Sequence, residues 1–245
     1  MRRFPMALRR VFVDSVIDGR AIATGARAHH LARVVRMKAG ETVEVSDGVE
    51  AWTAVAESID PRQVVFTTID VLAPPPAAAG LELHLALIKL PRFEWALEKA
   101  TELGVAAIVP VAAERSDGGL IKAAPKRVER WARIAEEAAQ QSRRLAAPSV
   151  ETPLTLAEAL QRPAAVRYFI DFSGQDPTAG RLKGLSSSAT VAIFVGPEGG
   201  WSDEELALAH NQGSDVISLG PQVLRSETAA LAAVSILGHV LRTIE

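Results

Sequence analysis

Two glycine-bearing turns, each set between a short apolar run and a helix start, constrain this chain more than any other feature. The first is Gly196-Pro197-Glu198-Gly199-Gly200-Trp201-Ser202. The second is Leu219-Gly220-Pro221-Gln222-Val223-Leu224-Arg225-Ser226-Glu227-Thr228-Ala229. Thr190 to Val195 is β-branched and apolar and predicts a buried strand. Gly196, Gly199 and Gly200 then let the backbone turn sharply beside a ligand. Ser202 and Glu205 have capping-box spacing, with acids in the first helical turn. Val216 to Leu219 predicts a second strand, Gly220 its turn, and Ser226 the cap of a helix reaching Leu241. Two such turns at the carboxyl ends of parallel strands form one crevice, where open α/β sheets bind ligands.

A phosphate-binding loop needs glycines with a Lys-Ser/Thr pair, and neither turn has one. Glu198 instead places negative charge near the ligand, which suits hydroxyls, amino groups or a cation. S-adenosylmethionine has these groups and no phosphate. The bland alternative is a tight strand–helix turn with a solvated glutamate. The cofactor reading draws on Gly196, Pro197, Glu198, Gly199, Gly200, Leu219, Gly220, Leu224, Arg225 and Thr228. A side chain at Gly199 is expected to block the cofactor's space.

The same stretches resemble the signature of the RsmE-type ribosomal RNA methyltransferases of the SPOUT superfamily. The resemblance extends through Lys99-Ala100-Thr101-Glu102-Leu103-Gly104-Val105, Glu114-Arg115-Ser116, Gln141, Arg144 and Pro148. It also takes in His30, Leu31, Arg36-Met37-Lys38 and Asp47-Gly48. Trp201 stands where phenylalanine is usual, Gln222 where a basic residue is common, and Arg143 where glycine is common. The resemblance implies methylation of N3 of one uridine in 16S ribosomal RNA of the small ribosomal subunit, with S-adenosylmethionine as donor. It further implies a PUA-like RNA-binding β-barrel, a SPOUT-type parallel sheet with a C-terminal trefoil knot, and a homodimer.

Charge is unevenly spread. Residues 1–40 carry nine Lys/Arg, Arg2 and Arg3 among them, against Asp14 and Asp18, a net of +7. Residues 122–144 carry seven bases against three acids, a net of +4, whereas residues 190–245 carry seven acids against two bases, a net of −5. The basic segments suit a surface that tracks a nucleic-acid backbone. Arg9, Arg10, Arg33, Arg36, Lys38 and Arg144 are the candidate phosphate contacts. The absence of cysteine excludes disulfides, cysteine-ligated metals and a cysteine nucleophile. The five histidines show no metal-binding spacing, so no metal is expected. No apolar run has the length of a membrane span, and the basic start lacks the apolar core of a secretory signal. A cytoplasmic location is expected.

Ala73-Pro74-Pro75-Pro76-Ala77-Ala78-Ala79-Gly80 reads as a stiff linker. It divides residues 1–72, β-rich with one helix over Ala28–Met37, from residues 81–245. Before it, Arg10–Asp14, Thr42–Ser46, Ala51–Glu57 and Val64–Leu72 read as strands, with a hairpin at Asp47-Gly48. After it, strand and helix patterns alternate: Leu81–Leu90, Phe93–Leu103, Ala106–Val111, Lys126–Arg144, Leu154–Leu160 and Val166–Phe172. This argues for an α/β domain with a mostly parallel sheet. The last helix is apolar almost all round and must be covered, either within the chain or by a second copy; Leu237 is a candidate interface position.

Arg225, Glu198 and Glu227 are the candidate catalytic residues. Arg225 either donates hydrogen bonds to uracil oxygens, orients RNA, or pairs structurally with Glu227 or Glu198. A non-catalytic RNA-binding assembly factor is the alternative function. A serine hydrolase at Ser226 or Ser202 is disfavoured, since the chain has no nucleophile elbow.

Overall fold

A computed structural model describes residues 8–74, 80–175, 185–186 and 188–243. Arg2, Arg3 and the linker centre 75–79 lie outside the described residues. The chain divides into two compact units, one of residues 1–76 with 139–147, the other of 77–138 with 148–245.

The first unit contains β1 (Arg10–Phe12), β2 (Ser15–Ile17), β3 (Arg20–Thr24), α1 (Gly25–His29), a π-helical turn (His30–Val35), β4 (Thr42–Ser46), β5 (Ala51–Ile59) and β6 (Gln63–Val71). The sheet order is β1-β4-β5-β6-β3-β2, parallel only between β1 and β4. Asp47 makes the turn between β4 and β5 by accepting from the amides of Val49 and Glu50, with Gly48 at positive φ. The helix expected over Ala28–Met37 starts earlier, at Gly25, turns π-helical from His30 and ends at Val35, capped by Arg36 at φ 56°. Val11, Val43, Val45, Ala54, Ala56, Val64 and Phe66 form the core with Leu31 and Met37.

β4 is buried on both faces. Its outward residues Glu44 and Ser46 are covered by the segment 139–147. Arg10 Nε and Arg143 Nε each donate to Glu44 Oε2 at 3.0 Å, and Arg143 Nη2 closes on Glu44 Oε1. Arg10 Nη1 donates to the Arg143 carbonyl at 2.7 Å, and Ser46 Oγ to the Leu145 carbonyl at 2.8 Å. Burial, and then the charge of Arg143, push the pKa of Arg10 below its ordinary value. Arg143 has φ 57°. This accounts for glycine being common at that position in the resembling family, since a left-handed conformation costs a side-chain-bearing residue about 1–2 kcal/mol. Here the paired guanidinium offsets that cost.

The second unit begins with β7 (Gly80–Ala86), α2 (Leu90–Leu103), β8 (Ala107–Ala112), α3 (Gly118–Ala123), a 3-10 turn and α4 (Val128–Gln141). It continues with β9 (Ser149–Val150), β10 (Leu154–Thr155), α5 (Leu156–Leu160), β11 (Val166–Gln175), β12 (Thr190–Val195), α6 (Asp203–Asn211), β13 (Asp215–Ile217) and α7 (Ser226–Thr243). The sheet order is β10-β8-β7-β12-β11-β13, with β9 on β8, and the pairs are parallel. Alternate residues of each strand face opposite layers. Leu81, Leu83, Leu85, Val191, Ile193 and Val195 pack with α2, α4 and α7. Ala86, Ala192 and Phe194 pack with α5, α6 and Trp201. A sheet covered on both sides explains why β12 is apolar throughout.

One charged network lies inside this sheet. His84 is fully buried, stacks on Phe194 at 4.2 Å and lies 3.2 Å from Glu82. Burial lowers the His84 pKa. For Glu82, burial opposes ionisation, but hydrogen bonds from His84 and Arg162 outweigh it and hold the carboxyl at about 2.

Two expectations need correction. The second predicted strand ends at Ile217, because Ser218 leaves the sheet to bond with Gly220. Ser226 is the first helical residue, not the cap. The Arg225 carbonyl accepts from the Ala229 amide at 2.8 Å, which places Arg225 at the capping position.

Candidate cofactor cavity

The carboxyl ends of β11, β12 and β13 surround a cavity of about 400 Å³. The turn after β12 is held from two directions. Ser202 and Glu205 form the expected capping box at the start of α6. The loop after β8 latches onto the same turn: Arg115 Nη1 donates to the carbonyls of Gly199 (2.8 Å) and Trp201 (3.0 Å). Ser202 Oγ donates to Glu114 Oε2 at 2.6 Å, and the Glu114 amide to Glu205 Oε1 at 2.9 Å. Gly196 lies on the Trp201 indole, where a Cβ would come within 3.2 Å of the ring and fit only if the indole moved by a few tenths of an ångström. Gly220 has φ 124°, a conformation that favours glycine.

Gly196, Pro197, Glu198, Gly199, Gly200, Leu219, Gly220, Leu224 and Arg225 line this cavity. Thr228 is exposed on α7 and is not among the lining residues. A Cβ at Gly199 would press on Arg115 at 3.3 Å, so a substitution there is felt first by the latch. Ile170, Val195 and Ala229 add apolar wall, and Asp171 and Arg115 add charge.

Of the candidate catalytic residues, Arg225 and Glu198 line the cavity and Glu227 does not. The structural pairing considered for Arg225 is made by another residue. Arg92, in the first turn of α2, lies 3.4 Å from Glu198 and 3.6 Å from Glu227. Arg225 is exposed, without an ion-pair partner among the described residues. Arg92 was not singled out from the sequence, and Arg115 was noted only within the resembling stretch and not as a site residue. The usable signal was position: both follow the carboxyl ends of strands, β7 and β8, beside the crevice.

Among the candidate RNA contacts, Arg9, Arg33, Arg36 and Lys38 are exposed. Arg10 is withdrawn as a phosphate contact: its side chain is 9% exposed and bound to Glu44. Arg144 is half-buried, and burial lowers its pKa. The described residues hold no His/Cys/Asp/Glu group suited to a metal.

The sequence matches the RNA methyltransferase domain model over residues 75–238 and the RNA methyltransferase PUA domain model over residues 23–69. Fold and family models therefore define an RNA methyltransferase in which a PUA-like β-rich unit precedes a SPOUT-type α/β sheet in the sequence. The ribosomal RNA small subunit methyltransferase E of Synechocystis is 32% identical over 98% of this chain and 80% of its own length. That of Bacillus subtilis is 31% identical over 88% of each. A crystal structure of the Neisseria gonorrhoeae ribosomal RNA small subunit methyltransferase E bound to S-adenosyl methionine matches with a TM-score of 0.81. It is 26% identical, covering 95% of this chain and 98% of that one. The chain belongs to the ribosomal RNA small subunit methyltransferase E family.

Proposed function

We propose that this chain is an S-adenosylmethionine-dependent methyltransferase acting on N3 of one uridine in 16S ribosomal RNA. The observation that carries the reading is the cavity above β11, β12 and β13, together with membership of the family. Its size lies in the range of small-ligand sites, about 300–1,000 Å³. It has glycine-rich backbone, apolar wall and the Glu198 carboxylate, but no lysine for a phosphate. The gonococcal relative binds the same cofactor in a similar fold, which supports the assignment. Bound there, S-adenosylmethionine supplies an electrophilic methyl group.

The chain's residues must handle the proton and the charge. Uridine N3 carries a proton at neutral pH, so it must lose that proton as negative charge develops on the ring carbonyls. Arg225 is the donor for those oxygens, since it lines the cavity and a guanidinium stays protonated. Glu198 is the better placed of the two carboxylates to take the proton, because it lines the cavity and Glu227 does not. Arg9, Arg33, Arg36 and Lys38 track RNA phosphates in this reading, and a cytoplasmic location accompanies the ribosomal substrate.

The trefoil knot and a homodimer through α7 belong to the same proposal. Leu237, 2% exposed, lies in the chain's own core, so the position to test is Ile236, 43% exposed on α7. Light scattering should give a dimer mass for the wild type and a lower mass for Ile236→Asp. A wild-type monomer at micromolar concentration would refute the dimer. For the cofactor, calorimetry should show saturable binding of S-adenosylmethionine at one site per chain; no heat of binding to folded protein would remove the assignment.

A further inference from the structure

We propose that a second cavity, beside the first, receives the target nucleotide, with Ser116 reading the base and Lys89 holding a phosphate. This rests on the methyl-transfer reading above. The cavity, about 560 Å³, stands over the carboxyl ends of β7 and β8. β7 and β12 are adjacent strands, Leu85 pairing with Val195. The two cavities are therefore neighbours along one edge of one sheet. Arg115, Glu198 and Gly199 line both.

The polar groups of the second cavity can be assigned one by one. Arg115 is committed to the Gly199 and Trp201 carbonyls, and Arg92 to Glu198 and Glu227. Glu114 accepts from Ser202, and Asp117 accepts from the amides of Gly119 and Leu120. Two groups are left over. The Ser116 Oγ is buried with no hydrogen-bond partner. Lys89 is exposed and has no ion-pair partner among the described residues. A buried hydroxyl without a partner is costly unless a ligand supplies one. Leu87 and Leu120 give the same space apolar surface.

One cation, one hydroxyl able to donate and accept, and apolar surface match a single nucleotide turned out of its stack. Such a nucleotide presents a phosphate, a hydrogen-bonding base edge and a flat ring. A base held there borders the cofactor cavity beside Gly199, which has no side chain, and its reactive edge projects into that cavity toward the methyl donor and Arg225. Glu198 lines both cavities and so borders that edge of the base.

The test uses the full-length protein, unmethylated 16S ribosomal RNA and the variants Lys89→Gln and Ser116→Ala. Lys89→Gln should bind RNA several-fold more weakly at low salt, with the slope of log affinity against log salt reduced by about one. Ser116→Ala should lower kcat about tenfold while KM for RNA changes by less than about twofold, the scale of losing one hydrogen bond to the base. Affinity for S-adenosylmethionine, read by calorimetry, should stay within about twofold of wild type in both. Wild-type methylation with both variants equal to wild type overturns the proposal. A tenfold loss of S-adenosylmethionine affinity in Ser116→Ala would also overturn it, assigning the cavity to the cofactor. A wild type that binds the cofactor but methylates no ribosomal RNA would sink the methylation reading itself, and the proposal with it.

Discussion

Arg225→Ala is expected to bind S-adenosylmethionine almost as the wild type does and to turn over roughly a hundredfold or more slower, the scale of losing one transition-state donor. Arg225 lines the cavity from the capping position of α7, where its backbone carbonyl, not its side chain, starts the helix. Arg92 already lies between Glu198 and Glu227, so removing the Arg225 guanidinium deprives neither carboxylate of its cation. The helix and the ion pairs should therefore survive. Single-turnover methylation near the wild-type rate would show that Arg225 has no catalytic role. Loss of folding together with cofactor binding would assign it a structural one.

Glu44→Leu should destabilise the first unit by about 3–5 kcal/mol, the usual cost of breaking a buried ion pair from one side. Two guanidinium groups, those of Arg10 and Arg143, would then face each other without their common carboxylate. The Arg143 side chain is 45% exposed and can turn toward water, which places the loss near the lower end of that range, about 3 kcal/mol. Arg10 has no such escape. Replacing Arg10 by methionine in the same protein should recover much of the loss, because an apolar pair can substitute for a buried ionic one. Urea unfolding measures both. A change below about 1 kcal/mol for Glu44→Leu alone would mean that the cluster behaves as an exposed pair.

The site was legible where local chemistry decides it. The apolar run Thr190–Val195, the glycines after it and the Ser202–Glu205 box need only neighbouring residues, and each stands where the sequence puts it. What was not legible depends on partners far along the chain. Arg10 looks like any base of a basic segment, because Glu44 lies 34 residues away and Arg143 lies 133 away. The Arg115 latch is invisible for the same reason, since its acceptors are backbone carbonyls 84 and 86 residues on. Ser226 suits a cap by composition, yet the helix starts one residue earlier than that reading allows. The alternating pattern after the linker gave the parallel sheet. It gave no sign that the segment 139–147 belongs with the first unit, because Arg143 reads as the tail of a helix until Glu44 is placed beside it.

Methyl transfer to one uridine of 16S ribosomal RNA can be read by mass spectrometry of that RNA. RNA from cells lacking the protein should miss a single methyl group, at N3 of one uridine. The wild-type gene should restore it and Arg225→Ala should not. An unchanged set of methylated nucleotides in the cells lacking the protein would mean that it does not methylate this RNA.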